Sequence, residues 1–121
     1  MEIIKSKEYY KLVDGDKVIA SSFCGIVPDN IVNKLSTLPM NNHNTKTLMG
    51  FSTCAEYQGK GFGKKLLKHI ISSEIDAGTR YLTLGVKIDN EKAIKLYESS
   101  GFVIEGNCAN SDNYHFMYLE L

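Results

Sequence analysis

Gln58, Gly59, Lys60, Gly61, Phe62 and Gly63 lie between a β-prone run and a run with helical periodicity. A strand, a glycine-rich turn and a helix N-terminus in that order make an anion site. Unpaired N–H groups and the positive end of the helix dipole face the ligand, and the glycines let the backbone approach it with no Cβ in the way. Lys60, Lys64, Lys65 and Lys68 lie on the loop or early in the helix, while Glu74 and Asp76 lie near its end. This order opposes the dipole, which favours anions first and cations last by about 0.3–1 kcal/mol each. A polyanion at the N-terminus would account for it; an ordinary solvated lysine face is the alternative.

The spacing narrows the polyanion. A P-loop needs a Ser or Thr after Gly-Lys to hold magnesium, and here Gly63-Lys64 is followed by Lys65. A dinucleotide fingerprint needs GxGxxG after a first strand, whereas Gly59, Gly61 and Gly63 alternate in mid-chain. Both nucleotide readings are demoted.

Several elements must position this loop. Glu8 to Val13 and Lys17 to Gly25 are β-prone and flank Asp14-Gly15-Asp16, a hairpin signal at the start of the chain. Asp29 can cap a short helix through Leu35, before Pro39 and the polar cluster Asn41 to Asn44. Thr45 to Thr53 reads as a third strand. A helix follows over about Lys64 to Ala77, with Leu66, Leu67, Ile70, Ile71 and Ile75 at helical spacing and Gly78 as the C′ residue. Tyr81 to Val86 is a fourth strand. Asp89 or Asn90 caps a second helix through Ser99, with Gly101 at C′ and Phe102 folding back on Tyr97 or Leu96. Val103-Ile104 and Tyr114 to Leu119 are the closing strands. The alternation predicts one α/β domain over residues 1–121 with a mixed sheet.

The segment from Ser52 to Leu67 resembles the acyl-CoA signature of the GNAT N-acetyltransferase superfamily, in which Gln58, Gly61 and Gly63 fill the positions of Gln or Arg, Gly, and Gly or Ala. Asp89 to Phe102 is similar to a second segment of that family, with Asn90, Ala93, Tyr97, Gly101 and Phe102 at its marked positions. Together the likeness covers roughly Leu48 to Leu121. It implies a mixed, mostly antiparallel sheet flanked by helices, with acetyl-CoA bound where the strand Thr45 to Thr53 splays from the strand Tyr81 to Val86. Main-chain groups of Phe51 and Thr53 would pair with the pantetheine arm. Amides of Gln58, Gly59, Lys60, Gly61, Phe62, Gly63 and Lys64 would cradle the pyrophosphate. Asn90 would hydrogen-bond the pantetheine, and Tyr97 would be the general acid to the departing thiolate. No metal is implied.

The chain departs from that family in two places. Many members open with a strand and two helices that line the acceptor side, whereas about seven residues precede the first hairpin strand here. The N-terminal part is therefore read as shortened, and Pro28 to Asn44 or a second subunit in a homodimer would supply the wall. Ala55 and Cys54 replace a frequent proline and aspartate, which predicts a less constrained approach to the loop.

Acyl transfer to an amine needs the ammonium deprotonated. Members of the family often use a glutamate on the strand before the loop, and Thr45 to Thr53 contains no carboxylate. His115, Glu105 and His43 are candidates, as is a water relay through Ser52 or Thr53. Asn90 can also be read as a helix cap, Tyr97 as packing, and Cys24, Cys54 and Cys108 as bystanders. Direct acetyl transfer to a small-molecule or peptide amine is the leading function. A non-catalytic acyl-CoA sensing module and another nucleotide-phosphate binder are the alternatives.

Composition agrees with a soluble folded domain, neither disordered nor fibrous, and argues against other classes. Of 121 residues, 43% are hydrophobic and 23% charged, and fourteen basic side chains balance fourteen acidic ones. That balance argues against nonspecific nucleic-acid or membrane-surface binding. An odd set of cysteines without CxxC spacing suits a reducing cytoplasm.

Overall fold

The computed structural model describes residues 1–26, 38–108 and 112–121. Its elements are β1 (Glu2–Ser6), β2 (Tyr9–Asp14), β3 (Lys17–Ile26), β4 (Thr45–Thr53), a 3-10 turn (Ala55–Tyr57), α1 (Phe62–Asp76), β5 (Tyr81–Lys87), α2 (Glu91–Ser99), β6 (Val103–Asn107) and β7 (Tyr114–Glu120). The short helix expected from Asp29 to Leu35 lies outside the described residues.

The expected hairpin forms β2 and β3, with Gly15 at φ 60° in its turn. It is not the first element. β1 precedes it and pairs antiparallel with β2 from Glu2↔Val13 to Ser6↔Tyr9. The sequence hid this strand because it is a short, charged edge on which only Ile3 is even partly covered. The turn into β2 passes through Lys7, at φ 53° the only described non-glycine residue with a positive φ. Two residues join β1 to β2, with no helix between them.

The strands form one sheet in the order β1-β2-β3-β4-β5-β7-β6. Every neighbouring pair is antiparallel except β4 and β5, as the mixed, mostly antiparallel expectation requires. β4 and β5 pair only from Thr45↔Tyr81 to Thr47↔Thr83. Beyond those residues β4 runs on to Thr53 and β5 to Lys87 without pairing to each other, so the sheet opens there.

Both helices pack on one face of the sheet. Leu66, Leu67 and Ile70 of α1 are fully buried with Tyr10, Leu12, Cys24 and Leu48, and Tyr97 of α2 joins the same core with Leu84, Phe102 and Met117. Each such aliphatic side chain contributes about 1.5–3 kcal/mol by leaving water. Both helices end in a Schellman motif. Gly78 N–H donates to the Ile75 carbonyl and Thr79 N–H to Glu74; Gly101 N–H donates to Glu98 and Phe102 N–H to Tyr97. The Phe102 ring lies 5.7 Å from that of Tyr97, as the C′ glycine at 101 led us to expect.

Glu74 departs from the expected pattern. It is not an exposed anion at the helix end; it is 1% exposed, whereas Ile75 is 52% exposed. Its carboxylate accepts from Tyr10 Oη at 2.7 Å and Thr79 Oγ1 at 2.8 Å, and pairs with Lys46 Nζ at 2.8 Å. One of the two acids in the apparent charge reversal along α1 thus belongs to an internal network.

Candidate acyl-CoA site

The opening between β4 and β5 leads into a cavity of about 670 Å³. Phe51, Ser52 and Thr53 of β4 form one wall. The loop gives Tyr57, Gln58, Gly59 and Gly61; α1 gives Phe62, Gly63 and Lys64; Asn90 and α2 close the other side as far as Tyr97. Of the residues singled out from the sequence, Phe51, Thr53, Gln58, Gly59, Gly61, Phe62, Gly63, Lys64, Asn90 and Tyr97 all line this space. Lys60 does not; its Nζ lies 5.8 Å from the centre of the Tyr57 ring.

Backbone hydrogen bonds hold the approach to the loop despite Cys54 and Ala55. Cys54 N–H donates to the Ile19 carbonyl at 2.7 Å, and Tyr57 N–H to that of Cys54 at 2.9 Å. Lys17 and Glu56 form an ion pair across to β3. Gln58 Nε2 donates to the Thr53 carbonyl at 3.1 Å, tying the loop to the end of β4. A loosely constrained approach is therefore not what forms, because β3 supplies the anchor that the proline position lacks.

Gly59 and Gly61 have φ of 76° and 84°, and a Cβ on either would meet nothing within 4 Å. Their glycine identity answers the backbone conformation and leaves the rim open. Gly63 is different: a Cβ there would lie 3.0 Å from Thr53 Oγ1. It sets how closely α1 approaches β4. Gly61 is the N-cap of α1 and brings no side chain to cap it, and the first turn contains no acidic residue. The helix therefore presents its first N–H groups into the cavity beside Lys64, a donor set that fits a pyrophosphate.

Asn90 is the N-cap of α2, its Oδ1 accepting from Ala93 N–H at 3.3 Å. The cap reading and the cavity placement hold together, since the side-chain amide group remains a donor. Tyr97 is 6% exposed. Its ring meets Phe51 edge-on at 5.8 Å. Burial pushes its phenol up to about 12, so the hydroxyl is protonated at any neutral pH.

The candidate bases lie elsewhere. His43 sits in the polar loop before the start of β4, where its backbone N–H donates to Asn41 Oδ1. His115 pairs with Val86 and Asn107 in the sheet, with its Nδ1 buried and unpartnered. Glu105 lies at the β6 bulge on the sheet edge. None of the three lines the cavity, nor does any other Asp, Glu or His among the described residues. Sequence reasoning passed over Tyr57, Lys92, Lys95 and Leu96, which also line it. Tyr57 could have been noticed as an aromatic one residue before the marked Gln58.

The sequence profile described as "Acetyltransferase (GNAT) family" matches residues 5–102. Ribosomal protein bS18-alanine N-acetyltransferase of Escherichia coli K12 is 41% identical over 56 residues, 46% of this chain and 38% of that one. The chain spans about a quarter to two fifths of the length of the first curated relatives it matches. The crystal structure of the E. coli ribosomal-protein-S18-alanine N-acetyltransferase superposes with a TM-score of 0.69 at 25% identity, covering 96% of this chain and 71% of that one. A Salmonella typhimurium acetyltransferase solved with acetyl-CoA gives 0.70 at 21% identity, covering 93% and 64%. No helix among the described residues is long and apolar enough to cross a membrane.

Proposed function

Because the chain belongs to the GNAT acetyltransferase family, we propose that it transfers an acetyl group from acetyl-CoA to a primary amine of a small molecule or peptide by direct attack. The observation that carries this is the parting of β4 from β5 after Thr47 and Thr83, with a cavity at the opening.

When bound, acetyl-CoA supplies the acyl group as a thioester. The chain does the rest. Amides from Gln58 to Lys64 hold the pyrophosphate at the α1 N-terminus. Main-chain groups of Phe51 and Thr53 pair with the pantetheine arm as an added strand would, and the Asn90 amide donates to it. A β4 N–H would stabilise the oxyanion that develops on the thioester carbonyl. Tyr97, protonated at neutral pH, would give its proton to the leaving thiolate. Among the described residues the cavity wall carries no carboxylate or imidazole, and a water ordered by Ser52 or Thr53 would take the proton from the amine. Fixing amine and thioester together accounts for much of the rate enhancement.

The lack of a carboxylate or imidazole among the described lining residues supports a second reading, a non-catalytic acyl-CoA-binding module. One assay separates them. An amine panel with acetyl-CoA is read as free thiol release, alongside calorimetric titration of CoA and ATP. Thiol release with any amine selects the enzyme; CoA binding without turnover selects the module; ATP binding in place of CoA overturns both. A second copy of the chain is a further partner, with β6 as its surface: all five residues of that edge strand are exposed. Sedimentation at high protein concentration tests it. The three free cysteines suit a reducing cytoplasm.

A further inference from the structure

The α2 side of the cavity carries two cations that acetyl transfer leaves unused. Lys92 and Lys95 both line it, as does Lys64 of α1. All three are exposed, and none makes an ion pair among the described residues. The lysines that do pair, Lys5, Lys17 and Lys46, pair with Glu74 or Glu56, and neither acid is on the cavity wall. The cavity therefore holds three ammonium groups with no described anion to face them.

Position along α2 puts Lys92 and Lys95 at the mouth. The residues that α2 gives to the cavity fall on two stripes. Ala93 and Tyr97 lead inward, the first partly covered and the second buried. Lys92 and Leu96, also four apart, form the outer stripe, and Lys95 adjoins it. Leu96 reaches the start of α1: a Cβ on Gly63 would meet Leu96 Cδ2 at 3.7 Å. Helical side chains lean toward the helix N-terminus, so Lys92 extends past this contact on its solvent side. Lys95 lies three residues after Lys92, on the same face, and the two ammonium groups can close on one anion.

The chemistry of the coenzyme narrows what they hold. An amine acceptor is itself a cation until it is deprotonated, and two more ammonium groups repel it. The acetyl group and the pantetheine arm carry no charge. The pyrophosphate has the free N–H groups of α1 and Lys64. The anionic group left is the phosphate monoester on the 3′ position of the ribose, with a charge of about −1.5 to −2 at neutral pH.

We propose that Lys92 and Lys95 form a subsite for the 3′-phosphate of CoA, and that the chain thereby distinguishes CoA from 3′-dephospho-CoA. The proposal rests on the acyl-CoA reading for the identity of the ligand. It holds for an enzyme and for a binding module alike.

The test titrates CoA and dephospho-CoA by calorimetry at low ionic strength, where exposed charges are least screened. The proteins are the parent, Lys92→Ala/Lys95→Ala, Lys92→Arg/Lys95→Arg and Lys65→Ala, a lysine of α1 off the cavity wall. The parent should bind CoA about tenfold tighter than dephospho-CoA, the size of two exposed charge pairs. The double alanine variant should cut that ratio to about twofold or less and leave dephospho-CoA unchanged. The double arginine variant and Lys65→Ala should keep the ratio. Phosphorus NMR gives location: the second ionisation of the 3′-phosphate, near pH ~6 for a free monoester, should fall in the parent complex and return in the double alanine variant. Equal affinity of the parent for the two ligands overturns the proposal. So does a double alanine variant that weakens both ligands equally, since the lysines then act on the pyrophosphate, or one that weakens neither. A ratio lost in Lys65→Ala, or an ionisation that binding does not move, overturns it as well. Dephospho-CoA bound as tightly as CoA removes the subsite alone, whereas failure of both ligands to bind removes the acyl-CoA reading with it.

Discussion

The rings of Phe51 and Tyr97 meet edge-on at 5.8 Å, and this contact joins β4 to α2 across the opening that the separated strands leave. One residue lies beside the β4 main chain that would pair with the pantetheine, and the other carries the only phenol buried on the cavity wall. Because the ring is held by Phe51 on one side and Phe102 on the other, removing its hydroxyl leaves the packing in place. Tyr97→Phe is expected to keep CoA affinity and slow turnover by about tenfold, the low end for a general acid because a thiolate leaves readily unaided. Calorimetry and thiol release on one preparation check both halves. The sign of the pH dependence follows from burial. Raised to about 12, the phenol stays protonated, so Tyr97 contributes no alkaline fall in turnover below about pH 11. A fall that moves or disappears in Tyr97→Phe would contradict this.

The α1 N-terminus makes a separable prediction about charge. Gly61 stands at φ 84°, so any side chain there strains the backbone equally. Comparing Gly61→Glu with Gly61→Gln cancels that strain and reads the charge alone. Gly61→Glu is expected to bind CoA about tenfold more weakly than Gly61→Gln, a difference equal to ~1.4 kcal/mol. Equal affinities would remove the pyrophosphate from this helix end.

The lysines divide by position. Lys64 lines the cavity, Lys60 sits over Tyr57, and Lys65 lies outside the cavity wall. Lys64→Ala should lower CoA affinity by a few-fold and flatten its salt dependence, while Lys65→Ala should do neither. Charges at these exposed positions are screened beyond about 8–10 Å at physiological ionic strength. Titrations at low and high salt with each variant provide the check.

Much of this site was legible because its signals are local. The bounds of β4, the Asn90 cap and the turn at Gly101 each follow from a few adjacent residues, and the structure places them where those residues point. β1 was not legible, since five residues with two charges and no alternation carry no strand signal until β2 is beside them. Glu74 was misread for a different reason. Leu67, Ile70 and Glu74 follow one inward face of α1, but a carboxylate is assigned to solvent unless its partners are known. Those partners, Tyr10 and Lys46, lie 64 and 28 residues away. The parting of β4 from β5 likewise depends on pairing that stops at Thr47↔Thr83, and no pattern in either strand announces where it stops.

The Glu74 network sets the last prediction. Burial raises the Glu74 carboxyl, but hydrogen bonds from Lys46, Tyr10 and Thr79 outweigh it and hold it below the ordinary value of 4.5. A carboxyl lowered in the folded state stabilises the fold above its unfolded pKa, and that contribution is lost as pH falls through the folded one. Stability should therefore decline on acidification below about pH 4.5, and part of that decline should be absent in Glu74→Gln. At neutral pH the variant leaves Lys46 without its anion and Tyr10 and Thr79 competing for one amide, a loss of about 2–4 kcal/mol. Burial likewise pushes the Cys24 thiol up to about 12 beside this network, so it stays neutral and adds nothing to the slope. Urea unfolding from pH 3 to 8 of the parent and Glu74→Gln measures both effects. Parallel pH profiles for the two proteins would show that Glu74 titrates no differently when folded, and that its partners hold it by geometry without preferring its charge.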